Sequence, residues 1–208
     1  EIGTLEPVEE IARLWREQGV WFHTDAVQAV GSAPINFKQL GADMLSLSAH
    51  KFNGPKGVGA LICRRGISPL TFMDGGAQER NRRAGTENLA GIVGLATALE
   101  LSIKNLDKKI AEERAMRDYV MQKVQKMPKV KINGPVDVTR RLPNNLNVSF
   151  EAAEGESLLL MLDMNGICAS SGSACASGSL DPSHVLLSIG LPHEIAHSSL
   201  RISFGIQN

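Results

Sequence analysis

Six stretches of the 208-residue sequence hold side chains whose types and spacing can do chemistry. Asp25 and Gln28 stand in "HTDAVQAVG", and Ser48, His50 and Lys51 stand in "SLSAHKFNGPKGVG". Thr86 stands in "RRAGTENLAG", Cys175 in "ASSGSACASGS" and Arg201 in "SSLRISFG". The sixth is His193-Glu194-x-x-His197. Its spacing is that of a zinc-protease helix, with two imidazoles one turn apart and a glutamate as general base.

Lys51 closes the apolar run "DMLSLSAHK" and is followed by a Gly/Pro-rich turn. Such a lysine is either a surface residue beside a tight turn or an amine delivered by a strand end. Asp25, at the end of the preceding apolar run, favours the second. Enzymes that use pyridoxal 5′-phosphate (PLP) need a Schiff-base lysine and a carboxylate facing the pyridine nitrogen, which keeps the ring protonated as an electron sink. Two neighbouring strand ends can supply that pair. Gln28, three residues after Asp25, falls on the same side of a helical turn. Ser48 and His50 alternate along the strand, point to one side and suit a phosphate.

Thr86 falls where a long helix starts and reads as its N-cap, a position that also serves an anion. The Ser/Gly stretch around Cys175 reads as a linker, or as a mobile segment presenting an unhindered nucleophile. Cys63 and Cys168 have apolar neighbours and are expected to pack in cores. Arg201 alternates with Leu200 and Ile202, so it faces solvent or offers a fork to a carboxylate. The two-histidine motif does not lead to a metal site. Pro192 precedes it at once, a strand-like pattern begins at Ser199, and no third ligand follows His197. Neither a metal site nor a peptidase is expected.

These side chains need strand ends and helix starts to hold them. Pro7 opens a helix with Val8, Ile11, Ala12 and Trp15 on one face, capped at Gly19. "VWFH" (20–23), residues 43–51 and "GVGALICRR" (57–65) read as strands, with a turn of helix at "DAVQAVG". Alternation of strand and helix points to an α/β sheet, whose ligands gather at the carboxyl ends of its strands. After Thr86, Ile92, Ala96, Leu99, Ile103 and Leu106 form one helical stripe. A second helical stretch, with Ile110, Tyr119, Val120, Val124 and Met127, reaches Pro128. Short strands ("VKING", "NNLNVSF") and the helix "GESLLLMLDMNG" then indicate a smaller α+β unit. The expected domains are 1–106 and 107–208.

Composition is that of a globular protein, 43% hydrophobic and 21% charged. Twenty-two basic residues match 22 acidic ones, so no net field favours nucleic acid or an anionic membrane. No apolar run reaches the ~18 residues of a membrane span. Nothing near Glu1 resembles a secretory signal. Three cysteines without a Cys-x-x-Cys pair argue against a disulfide framework and for a cytoplasmic location.

Together "HTDAVQAVG", "SLSAHKFNGPKGVGAL", "RRAGTENLAGIVGLATALE", "NNLNVSF", "GESLLLMLD", "SSGSACASGSLDPSHVLLSIGL" and "AHSSLRISFG" closely resemble the cysteine desulfurases of the NifS/IscS group. These are class-V aminotransferase-like PLP enzymes of fold type I. The resemblance implies the second half of a large domain, a mostly parallel mixed sheet with helices, and then a small α+β domain. It implies that Lys51 bonds the cofactor, Asp25 pairs with the pyridine nitrogen and Gln28 contacts the phenolic oxygen. Ser48 and His50 would hold the phosphate, with Thr86 reaching it from the partner of a homodimer. Arg201 would hold the carboxylate of L-cysteine, and Cys175 would accept its sulfur for an iron–sulfur scaffold or another acceptor protein. In the family, the segment before Glu1-Ile2-Gly3 carries further cofactor contacts, so the sequence resembles the C-terminal part of such an enzyme. The alternatives are an inactive folding or dimerisation piece, an aminotransferase and a selenocysteine lyase.

Overall fold

The computed structural model describes residues 1–151, 153–172 and 181–208; Cys175 lies outside the described residues. The chain forms two compact units, Pro7–Leu106 and Glu1–Glu6 with Asp107–Asn208.

The first unit runs α1 (Val8–Glu17), β1 (His23–Asp25), α2 (Phe37–Leu40), β2 (Met44–Ser48), a 3-10 turn (Ala49–Phe52), β3 (Gly59–Cys63), α3 (Gln78–Asn81) and α4 (Leu89–Lys104). Its sheet has the order β1-β2-β3 and is mixed: β1 and β2 are parallel, β2 and β3 antiparallel. The α/β expectation holds. Alternation sorts β2 by face. Leu45 and Leu47 enter a core with Ala26, Val30, Ala49 and Phe52, leaving Met44, Ser46 and Ser48 on the other face.

Four local expectations fail here. The strand expected over 20–23 begins only at His23. Gly19 ends α1 at φ 66°, and the Gly19 and Val20 amides donate to Arg16 O and Trp15 O. That left-handed cap leaves Val20 and Trp21 exposed. Thr86 is not the N-cap of α4. Asn88 is, its side chain accepting from Gly91 N at 3.0 Å, and the helix starts at Leu89. The buried face of α4 is only partly the expected stripe: Leu99 packs on the core and Leu106 is buried, but Ile92, Ala96 and Ile103 are exposed, and Leu95 and Ala98 pack on the core instead. Gly94 decides this, because a Cβ there would lie 2.5 Å from Pro55 Cγ. The helix presents its small residues to the loop and approaches it closely. Finally, Cys63 is half-buried rather than core, because β3 is an edge strand with Leu61 and Ile62 exposed.

The second unit contains α5 (Leu106–Val124), β4 (Val130–Asn133), a 3-10 turn (Val138–Arg140), β5 (Asn145–Phe150), α6 (Gly155–Met164), α7 (His184–Ser188), α8 (His193–His197) and β6 (Ser199–Ser203). Its antiparallel sheet has the order β4-β5-β6. Leu146 and Val148 turn one face of β5 onto Met121 and Val124 of α5. The buried stripe of α5 also takes in Glu113 and Arg117, whereas Tyr119, expected inside, is 62% exposed. The opposite sheet face is polar and nonetheless buried: Asn133, Asn145, Asn147, Ser149 and Ser199.

Candidate active site

In the first unit, parallel pairing sets the carboxyl ends of β1 and β2 side by side, with His23 opposite Met44 and Asp25 opposite Ser46. His23, Asp25, Ser46 and Ser48 therefore share one sheet face, turned away from the Leu45 and Leu47 core. His23 Nε2 and Ser46 Oγ lie 2.7 Å apart. Asp25 Oδ1 accepts from Val27 N at 2.9 Å, an Asx turn that orients the carboxylate and leaves its second oxygen for a ligand. Gln28 is exposed in the turn that follows, where Ala29 N and Val30 N donate to Ala26 O.

Lys51 is exposed on the 3-10 turn after β2 and not on the strand itself. The turn is braced from behind. Phe52 is buried, Ser102 Oγ of α4 donates to Phe52 O at 3.3 Å, and Pro55 abuts Gly94. Ser48 Oγ and His50 Nδ1 share a hydrogen bond of 2.8 Å. The two therefore do point to one side. Thr86 is exposed in the segment ahead of α4. Asp43 anchors the start of β2, accepting from Phe22 N at 2.9 Å and Arg64 Nε at 2.7 Å. Burial opposes its charge, but the Phe22 amide and the Arg64 guanidinium outweigh burial and hold the carboxyl below its ordinary range.

In the second unit, Arg201 sits on β6 between Asn147 of β5 and a bridge to Ser170. Its Nε is buried without a partner. Cys168 is exposed, contrary to the core expectation. Gly166, at φ 72°, ends α6 with its own amide donating to Asp163 O and the Ile167 amide to Leu162 O, and the chain leaves outward. Cys168 then lines a cleft of about 450 Å³ with Glu156, Leu159, Leu160 and Asp163. The His193–His197 motif does form a helix, but of one turn only, with ring centroids 6.4 Å apart. Among the described residues no group of three or more His, Cys, Asp or Glu could hold a metal.

A family model described as Aminotransferase class-V matches residues 1–208. The chain belongs to the class-V aminotransferase family. It is 56% identical over 209 residues to "Cysteine desulfurase IscS" of Clostridium botulinum, covering 100% of this chain and 53% of that one. It is 53% identical over 208 residues to "Cysteine desulfurase IscS" of Methanosarcina thermophila, covering 100% and 51%. The chain thus spans about half the length of the curated relatives it matches. Among solved structures, a NifS-like protein from Rickettsia africae superposes with a TM-score of 0.90 at 32% identity, covering 100% of this chain and 54% of that one. "SspA in complex with cysteine" superposes with a TM-score of 0.78 at 32% identity, covering 98% and 55%.

Class-V aminotransferase and cysteine desulfurase family members use PLP. The groups at the β1 and β2 ends fit it by their chemistry: an amine, a carboxylate with one free oxygen, and a hydroxyl–imidazole pair for the phosphate. The His23–Ser46 pair and the buried polar face of β5 are not among the residues expected from sequence. The second had a signal, because Asn145, Asn147 and Ser149 alternate with Leu146 and Val148.

Proposed function

We propose that the chain is the part of a PLP-dependent cysteine desulfurase that carries both the cofactor-bonding lysine and the sulfur-accepting cysteine. The observation that carries this reading is the shared sheet face at the ends of β1 and β2, with Asp25 and Ser48 on it and the Lys51 turn following. PLP, when bound, supplies an electron sink for the bond-breaking at Cα of the substrate.

Lys51 moves the Cα proton. Asp25 keeps the pyridine nitrogen protonated by placing a negative charge against it. Gln28 reaches the phenolic oxygen. With Ser48 donating to His50 Nδ1, the imidazole would carry its proton on Nε2, a donor for the phosphate. Thr86, exposed, serves the partner's phosphate in a homodimer.

Arg201 takes the carboxylate of L-cysteine, and Cys175 takes its sulfur. Ser170, the bridge partner of Arg201, precedes Cys175 by five residues, a tether of at most ~18 Å. The Cys175 thiolate attacks the substrate sulfur: an S–S bond forms, the Cβ–S bond breaks, and Cβ keeps the electron pair and takes a proton to give alanine. The persulfide on Cys175 then passes to an acceptor protein such as an iron–sulfur scaffold.

The test is single-turnover alanine release by the full-length PLP-loaded protein. Cys175→Ala should bind L-cysteine and release almost no alanine, while Cys63→Ala and Cys168→Ala should release it as wild type does. Lys51→Ala should bind PLP without a covalent link. If Cys168→Ala is dead and Cys175→Ala active, the acceptor assignment fails; if all three cysteine variants are active, so does the desulfurase reading.

A further inference from the structure

The buried polar face of the second unit contains one continuous row. Asn133 pairs with Asn147 across β4 and β5, Asn147 with Arg201 across β5 and β6, and Arg201 with Ser170 across the bridge beyond. Direct cross-strand partners share a sheet face, their Cβ atoms about 4.5–5.5 Å apart. Asn147 is completely buried, where an amide needs partners at both ends.

Asn133 Nδ2 donates to Asn147 Oδ1 at 2.7 Å and to Ser149 Oγ at 2.8 Å. Three atoms of the row stay buried without a partner: Asn133 Oδ1, Asn147 Nδ2 and Arg201 Nε. The two ends of an amide have the same shape and differ only in whether they donate or accept. Turning both amides over preserves the 2.7 Å contact, with Asn147 now donating to Asn133 Oδ1. The Ser149 hydroxyl then donates to that same oxygen. The freed Asn147 Oδ1 becomes an acceptor beside the side chain of its strand partner, Arg201, whose buried Nε needs one.

We propose that Asn147 is a positioning residue for Arg201, its amide oxygen holding Arg201 Nε while Asn133 and Ser149 fix the amide from behind. The inference rests on the reading of Arg201 as the carboxylate fork. With Nε occupied, the guanidinium cannot swing side-on. It presents its terminal Nη1 and Nη2 edge, the geometry that takes a carboxylate bidentately. A purely structural amide would stabilise the sheet without affecting what Arg201 binds.

Two measurements on the full-length PLP-loaded protein test this. The first titrates wild type, Asn147→Leu and Asn147→Asp with L-cysteine and with cysteamine, the same amine and thiol without the carboxylate, following the visible cofactor spectrum. Asn147→Leu should weaken L-cysteine at least ~10-fold and leave cysteamine within ~2-fold, while Asn147→Asp, which keeps the acceptor, stays within ~3-fold for both. The second follows hydrogen exchange of Arg201 Nε–H by 15N NMR and needs no substrate. Exchange should be slow in wild type and Asn147→Asp and at least ~10-fold faster in Asn147→Leu. Equal losses for L-cysteine and cysteamine, no loss for either, or unchanged Nε exchange in Asn147→Leu overturns the proposal. A wild-type protein whose spectrum responds to neither amine overturns the desulfurase reading instead, and the exchange measurement still decides the role of Asn147.

Discussion

Ser48 Oγ and His50 Nδ1 lie 2.8 Å apart at the junction where β2 becomes the turn that carries Lys51. Neither residue is needed for the core, since Ser48 is half-buried and His50 exposed. The pair is therefore free to serve a ligand. Ser48→Ala and His50→Ala should each weaken PLP binding roughly tenfold, the effect of losing about one hydrogen bond to an anion. Titration of the apoprotein with PLP measures it, and unfolding temperatures should barely change. Affinity equal to wild type in both variants removes the pair from the phosphate site.

Gly94 of α4 packs closely against Pro55 in the loop that follows the Lys51 turn. A methyl group on Gly94 would meet Pro55 Cγ at 2.5 Å, so Gly94→Ala must push the helix or the loop away. The expected cost is about 1–3 kcal/mol of stability. A denaturant midpoint equal to that of wild type would show that the contact yields freely.

Asp43 is held below the ordinary carboxylate range, against the opposition of burial, by the Phe22 amide and the Arg64 guanidinium. A carboxyl whose folded pKa is depressed adds stability above its unfolded value, ~3.9, and loses it as pH falls through the lower folded value. Asp43→Asn should therefore lower the melting temperature at pH 7, and the gap to wild type should close as the pH drops below the ordinary carboxylate range. A gap of constant size across that range argues for packing rather than charge.

Glu113 shows the opposite sign. Burial raises its carboxyl above the ordinary range, with Lys109 at 3.6 Å only partly offsetting it, and Oε2 has no partner. The native state thus holds the proton longer than the unfolded chain, and burying the charge is a cost borne only at higher pH. Glu113→Gln should melt higher than wild type at pH 7, with the difference vanishing as pH falls below the unfolded value, ~4.3. A variant that melts lower at pH 7 would mean that the Lys109 contact outweighs the burial.

Much of the placement was legible because it depends on short range. Asp25, Ser48, His50 and Lys51 sit at the ends of apolar runs, and the period of two along β2 already put Ser46 and Ser48 opposite Leu45 and Leu47. What failed were inferences from local apolarity to burial and from side-chain type to helix cap. Cys168 has apolar neighbours in sequence, yet the left-handed cap at Gly166 turns it outward. Thr86 has the right side chain for a cap, yet Asn88 lies next to the first helical residue and takes the amide of Gly91.

Residue order alone dictated which side chains follow the apolar runs, since alternation and turn chemistry act within a few residues of each position. Which partners those side chains meet was set by pairing between distant segments. The register of β1 on β2 brings Asp25 beside Ser46, and that of β5 on β6 brings Asn147 beside Arg201. A one-residue slip in either ladder would turn these side chains to the opposite face, and only burial of Leu45 and Leu47 in one unit, and of Leu146 and Val148 in the other, forbids it.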